Sequence, residues 1–285
     1  MRDTDHGTIM YPHSPNAPIL TLDSVSRDFG SRRALNALSL AIHSGELVAV
    51  IGRSGAGKTT LLRCLSRCTP VSEGTICLRG EDLATLKGAS LRAHRRRVGM
   101  IYQQFNLVRR LRVVENVLAG RLGHLHGFAR WAALAYRFSP ADRDIALRCL
   151  DHVGLLDRAW QRTDTLSGGE QQRVAIAKIL AQDPEIILAD EPIASLDFSN
   201  GELVMETLRQ IAHQAGLAVV TTLHHVDFAR RYADRVLGFR GGRLVFDGPP
   251  AALSEAALAA VFDDRSAPTA DRLPVSLSAL ELVTP

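Results

Sequence analysis

Leu166-Ser167-Gly168-Gly169-Glu170-Gln171-Gln172-Arg173 decides how this chain folds, because of what stands on either side of it. Upstream, Glu46-Leu47-Val48-Ala49-Val50-Ile51 is a nearly continuous apolar run ending at Gly52. Such a run suits a strand buried on both faces of a sheet. It opens into Gly52-Arg53-Ser54-Gly55-Ala56-Gly57-Lys58-Thr59-Thr60, and Thr59–Cys68 then reads as a helix. Strand, glycine loop and helix together are the context that a phosphate-binding loop requires. Downstream, Ile186-Ile187-Leu188-Ala189 is a second apolar strand, and it ends in Asp190-Glu191. Any one of the three could be an accident; their order makes an α/β nucleotide-binding domain.

The chemistry of each stretch follows from its residue types. A triphosphate carries several negative charges, and a loop with little side-chain bulk turns successive backbone N–H groups toward them. The following helix adds the positive end of its dipole, about half a charge. Lys58 reaches the β- and γ-phosphates, and the Thr59 hydroxyl is placed for Mg²⁺. At the end of its strand, Asp190 is placed to hold Mg²⁺, directly or through water. Glu191 points elsewhere, since neighbours on a strand diverge, and is the natural general base for an attacking water. Ser167, Gly168 and Gly169 repeat the logic of an anion cradle before a helix over Glu170–Ala181. Serine there is also an ordinary helix cap, whereas the two glycines cost flexibility that a cap alone does not explain.

At the Leu166–Arg173 stretch the chain resembles the ATP-binding-cassette (ABC) ATPases, and the resemblance runs from about Ile19 to Pro250. It implies a P-loop NTPase cassette: an α/β, RecA-like core, an antiparallel β subdomain and an inserted helical signature subdomain. By the same resemblance, Ser167, Gly168 and Gly169 contact the γ-phosphate of ATP held by a second copy, in a head-to-tail dimer. Gln103 matches the glutamine that touches Mg²⁺ or the water, with Gln104 an adjacent competitor. His224 matches the switch histidine on the γ-phosphate, with His225 its competitor. Ser195-Leu196-Asp197 matches the loop that crosses the dimer interface; Phe198 follows where relatives often carry proline. Phe29, before Gly30, matches the aromatic that stacks on adenine, the alternative being a strand-end aromatic packed in the core. Gln103-Gln104-Phe105-Asn106-Leu107-Val108, Asn116–Gly123, Ala189–Asp197 and Leu223–Asp227 resemble the ATPase subunit of phosphonate importers in particular. That implies two membrane permease subunits, a periplasmic phosphonate-binding protein reached through them, and a peripheral place on the cytoplasmic face of a bacterial inner membrane.

The rest of the sequence bounds these expectations. The 285 residues suit one large domain or a domain with a subdomain, and the net charge of +4 does not demand nucleic acid. The polar N-terminus lacks a signal pattern, and no apolar run reaches the ~18–20 residues of a membrane helix. Residues 1–17 read as a disordered lead, 18–250 as the ATPase domain with a helical subdomain over about 106–172, and 251–285 as a helix (Leu253–Val261) and tail. Further strands are expected at Ile19–Val25, Leu38–Ile42, Gly74–Leu78, Val98–Tyr102 and Ala218–Thr222. Further helices are expected at Leu86–Arg97, Val113–Leu122, Ala129–Arg137, Ala141–Val153, Leu203–Ala215 and Val226–Tyr232. Val236–Phe239 and Leu244–Phe246 read as a hairpin turned by Gly241-Gly242. Cys64 and Cys68, four apart on the expected helix, share a face, but no second ligand pair follows; with Cys77 and Cys149 they read as reduced thiols. Arg95-Arg96-Arg97 and Arg109, Arg110 and Arg112 could grip anions and read first as solvated faces, and His124 and His126 as no metal site. The rival functions are import of another cargo (a polar amino acid, phosphate or phosphite) and a soluble ATP-driven switch on nucleic acid or ribosomes, the latter opposed by the short spacer without a coiled coil. An inactive regulatory cassette is opposed by the presence of Lys58, Asp190, Glu191 and His224 together.

Overall fold

The computed structural model describes residues 17–125 and 138–263. The helix expected at Ala129–Arg137, the lead up to residue 16, the tail from residue 264 and His126 lie outside them. The described residues form two sheets. In the antiparallel sheet the order is β2 (Arg32–His43), β1 (Pro18–Phe29), β4 (Glu73–Leu78), β5 (Glu81–Asp82). In the larger sheet it is β10 (Arg243–Gly248), β9 (Arg235–Arg240), β3 (Leu47–Gly52), β8 (Ala218–Leu223), β7 (Ile186–Asp190), β6 (Val98–Ile101). All its pairings are parallel except β9 with β10, the expected hairpin, whose Gly241 and Gly242 take φ of +54° and +77°.

Every residue of β3 is buried, and its pleat divides the run between two cores. Leu47, Ala49 and Ile51 face one core; Val48 and Val50 face the other. β7 splits the same way, with Ile187 and Ala189 on the first side and Ile186 and Leu188 on the second. Each leucine, isoleucine or valine among them contributes about 1.5–3 kcal/mol of burial, which is why these strands read as unbroken apolar runs rather than alternating ones. The first core is completed by α3 (Val113–Leu118), α4 (Pro140–His152), α5 (Gly168–Ala181), α6 (Phe198–Ala215), α7 (Val226–Tyr232) and α8 (Glu255–Phe262). The second is completed by the antiparallel sheet and α1 (Lys58–Leu65). Between β4 and β6 lies α2 (Gly88–Arg97). Helices α3 to α5 occupy the stretch between β6 and β7, and the buried Asn116 carboxamide ties their entry loop. Its Oδ1 accepts from Val108 N at 2.8 Å and its Nδ2 donates to Thr163 Oγ1 at 2.9 Å.

Because β3, β6, β7 and β8 run in parallel, their C-terminal ends share one edge of the sheet. That edge carries Gly52, Gln103, Asp190 and His224, where ligands of open α/β sheets bind.

Several boundaries differ from the sequence reading. The helix expected at Thr59–Cys68 stops at Leu65, and Arg67 turns the chain with φ +55°. Cys68 is therefore off the helix and exposed while Cys64 is buried, and the two share no face. The strand from Ile19 does not end at Val25. It passes a bulge at Ser24 (φ +50°) and runs to Phe29. Leu86 is buried in extended backbone, and α2 starts only at Gly88. α6 begins at Phe198 rather than Leu203, because the Asp197 carboxylate accepts from Asn200 N and caps it.

Candidate active site

The glycine loop needs its glycines for space as well as for backbone freedom. Gly52 has φ +149°, and a Cβ there would lie 2.3 Å from Phe239 O; Gly57 has φ +109°, and a Cβ would lie 2.5 Å from Ala34 O. The loop is pinned from within and from the β9–β10 turn, Ala56 N donating to Arg53 O (3.1 Å) and Gly242 N to Ala56 O (2.9 Å). Gly57 caps α1 without any side-chain bond, so the first-turn amides remain open to a ligand. Lys58 is buried, and its Nζ donates to Gly52 O at 2.7 Å and to Arg53 O at 3.1 Å. Burial pushes its pKa below the usual lysine range, and Glu191 and Asp190 partly oppose that. Arg53 and Ser54 stand exposed on the loop, and Thr60 is half-buried beside Thr59.

Thr59, Asp190 and Thr222 form a chain of oxygens. Thr59 Oγ1 donates to Asp190 Oδ1 at 3.1 Å, and Thr222 Oγ1 donates to the same oxygen at 2.9 Å. Thr222 Oγ1 also accepts from Glu191 N at 2.9 Å. That contact holds Glu191 in the left-handed region, φ +52°, a conformation costing about 1–3 kcal/mol for a residue other than glycine. The twist sends the two neighbouring acids apart. Asp190 faces Thr59, while Glu191 Oε1 accepts from His224 Nε2 at 2.5 Å in the tautomer protonated there. His225 instead packs edge-on to Phe228, ring centroids 6.3 Å apart, so of the two histidines it is His224 that bonds to Glu191.

Ser167 caps α5 in a reciprocal box: its Oγ accepts from Glu170 N at 3.3 Å, and its own N donates to Glu170 Oε2 at 2.8 Å. Hydrogen bonding from Ser167 holds the Glu170 carboxyl below the usual range. A Cβ on Gly169 would sit 2.3 Å from Asn200 Oδ1, and Asn200 Nδ2 in turn donates to Asp197 Oδ2 at 2.6 Å. Hydrogen bonds from Asn200 keep the Asp197 carboxyl below its ordinary range. The Ser167–Gly169 loop and the loop at Asp197 therefore abut within one chain. Among the described residues, however, no hydrogen bond or ion pair joins Ser167, Gly168 or Gly169 to Lys58, Thr59, Asp190 or Glu191.

Phe29 is 48% exposed at the end of β1, not packed in the core, and Arg27 stacks on it 4.5 Å from the ring centroid. Gln103 and Gln104 are both exposed just past β6, and neither side chain bonds to another described residue. The structure thus brings Lys58, Thr59, Asp190, Glu191 and His224 together and leaves Gln103 apart. Thr222 and Asn200 were not anticipated. Thr222 had one signal, a hydroxyl at the end of an apolar strand, and its register partner is Asp190.

Three comparisons bear on this geometry. Residues 35–194 match the family model described as ABC transporter. The chain is 48% identical over 245 residues to the Phosphonates import ATP-binding protein PhnC of Rhodopseudomonas palustris (strain BisB5), covering 86% of this chain and 90% of the relative. It is 47% identical over 254 residues to the protein of the same name from Nocardia farcinica (strain IFM 10152), covering 88% and 94%. Among solved structures, the dimeric post-hydrolysis state of the ATP-binding cassette MJ0796 bound to ADP and Pi superposes with a TM-score of 0.69 at 32% identity, over 81% of this chain and 98% of that one. An open phosphate cradle on a parallel strand, a divided acid pair, the capped glycine loop and these likenesses together make the chain a member of the ABC transporter ATP-binding family.

Proposed function

We propose that this chain is the ATP-hydrolysing subunit of a bacterial ABC importer and couples ATP binding and hydrolysis to phosphonate uptake. The observation that carries the chemistry is the contact of Glu191 with His224 beside the Thr59–Asp190 pair. Lys58 and the open first-turn amides of α1 take the β- and γ-phosphates. Glu191, held out of its strand's line by Thr222, accepts the proton of the attacking water while His224 steadies its Oε1. A base so placed contributes about 10²- to 10⁴-fold. Thr59 Oγ1 and Asp190 Oδ1, hard oxygens 3.1 Å apart, are a donor set suited to Mg²⁺. When bound, that ion supplies charge neutralisation on the phosphate oxygens. Gln103 is the further candidate toward it, from the exposed end of β6.

Two copies arranged head to tail would each present Ser167, Gly168 and Gly169 to the ATP of the other, with Asp197 crossing the interface. ATP binding to both faces stabilises the closed dimer, and its hydrolysis removes that differential affinity. The partners are two membrane permease subunits and, through them, a periplasmic phosphonate-binding protein. The chain itself works peripherally at the cytoplasmic face of the inner membrane. No helix among the described residues is long and apolar enough to cross a membrane. The cargo rests on the names of the relatives and on the stretches Gln103–Val108 and Asn116–Gly123, which lie largely outside the nucleotide contacts.

The test is ATP hydrolysis by the chain reconstituted with a phosphonate permease, with and without phosphonate-loaded binding protein. Stimulation by the loaded protein is expected. Hydrolysis indifferent to it in an assembled complex would reject phosphonate as the cargo.

A further inference from the structure

The turn that carries Phe29 presents two arginines that the site described so far does not use. Phe29 and Arg32 are direct cross-strand partners in the β1–β2 register, and directly opposed side chains share a face. Arg27, two residues before Phe29, lies on that face too, and its guanidinium covers one side of the ring. Leu35, the register partner of Arg27, marks where the face points: its Cδ2 would lie 3.1 Å from a Cβ placed on Gly57. The face therefore looks at the glycine loop. Arg33 points the other way and is fully engaged, with Asp28 at 2.8 Å and Glu73 at 3.2 Å.

Arg32 is engaged quite differently. Its Nη2 donates to Gly55 O, the carbonyl of the glycine loop, at 3.1 Å, and it makes no ion pair with any described residue. The remaining N–H groups of its planar fork bond to no other described residue, and the fork suits phosphate oxygens. The two ends of a bound nucleotide are fixed by other groups, the base by the open side of Phe29 and the β- and γ-phosphates by Lys58. The ribose and the α-phosphate must lie between them. Arg32, opposite the first and bonded to the loop that holds the second, spans that interval.

We infer that Arg32 is a further nucleotide-binding residue, whose guanidinium grips the α-phosphate of ATP and ADP alike, with Arg27 backing Phe29 against the base. The inference rests on the ATP reading above. It explains why an exposed arginine that has no counter-ion among the described residues is tethered to the loop, and it assigns the hairpin a share of phosphate recognition in addition to base stacking. A contact to the α-phosphate acts equally on ATP and ADP, which sets it apart from contacts to the γ-phosphate.

The experiment measures ATP and ADP affinities of the full chain, together with the ³¹P resonances of bound MgADP, for the parent, Arg32→Gln, Arg32→Lys and Arg33→Gln. Arg32→Gln is expected to weaken both nucleotides by about tenfold, the scale of one charge-assisted contact. It should move the α-phosphorus resonance and leave the β in place. Arg32→Lys should keep the charge and recover part of the affinity, and Arg33→Gln, on the opposite face, should match the parent. The inference is overturned if Arg32→Gln binds both nucleotides within about twofold with the α-resonance unmoved, or if Arg33→Gln weakens binding as much. A parent chain that binds neither nucleotide would overturn the ATP reading itself, a result distinct from either.

Discussion

Two loops of this chain lead into helix N-termini, and they are finished in opposite ways. The Gly52–Thr60 loop enters α1 through Gly57, which offers no cap, so its amides and the buried Lys58 are left for a ligand to complete. The Ser167–Gly169 loop enters α5 through a full capping box, with its amides partly satisfied by its own serine and glutamate. The first is the cradle proposed for phosphate, left without a side-chain cap. The second is a stable edge, fit to be pressed against something already bound. That asymmetry is what the proposed shared site needs, in which one copy would hold the nucleotide and the other close over it.

The largest expected effect removes the cradle. Lys58→Ala should abolish measurable ATP binding, read by nucleotide titration, since among the described residues no other lysine or arginine is buried near the Asp190 and Glu191 carboxylates. Glu191→Gln should lower hydrolysis by about 10²- to 10⁴-fold while ATP binding survives; a rate equal to the parent's would remove Glu191 from its role. Gly169→Ala tests the second loop. Its Cβ would meet Asn200 Oδ1 at 2.3 Å, so hydrolysis should fall by about tenfold with ATP affinity in the dilute monomer unchanged, and Asn200→Ala should restore part of it. Smaller still, Ser167→Ala should cost about 1 kcal/mol of stability, about 2–4 °C in Tm for a chain of this size, whereas Ser54→Ala in the uncapped loop should leave Tm unchanged.

The smallest effect compares the supports of the two loops. Burial pushes the Cys64 thiol on α1 up to about 11 and the Cys149 thiol on α4, against α5, up to about 12. Both pKa values are raised above the unfolded value of about 8.5, so each neutral thiol's contribution is complete below that value and is lost as pH rises toward the folded one. Melting temperature between pH ~9 and ~11 should therefore fall more steeply for the parent than for Cys149→Ala or Cys64→Ala; parallel slopes would show that neither thiol is held neutral.

What could be read from the sequence was what chemistry fixes locally. Lys58, Thr59, Asp190, Glu191 and Ser167 sit where a strand ends or a helix begins, and each motif announces its own geometry. The strands flanking them were visible because burial on two faces leaves no room for polar alternation. Less legible was whatever depends on a partner far along the chain. Thr222 matters only because β8 lies beside β7 with Asp190 opposite, and Asn200 only because α6 starts against Gly169. Cys68 was placed on a helix that Arg67 had already ended. Periodicity gave no sign of that left-handed turn or of the bulge at Ser24 that carries β1 on to Phe29. His224 was preferred over His225 by its register in the Leu223–Asp227 stretch, and the contact that puts its Nε2 2.5 Å from Glu191 Oε1 was not readable there.

The central claim is that the two loops complete one site only across two copies. The most direct test is the solution mass of Glu191→Gln with MgATP and with MgADP. The account predicts that mass doubles with MgATP, stays that of one chain with MgADP, and fails to double with MgATP once Ser167→Phe is added, although the nucleotide still binds. A single-chain mass at saturating MgATP, or a dimer that survives Ser167→Phe, would contradict it.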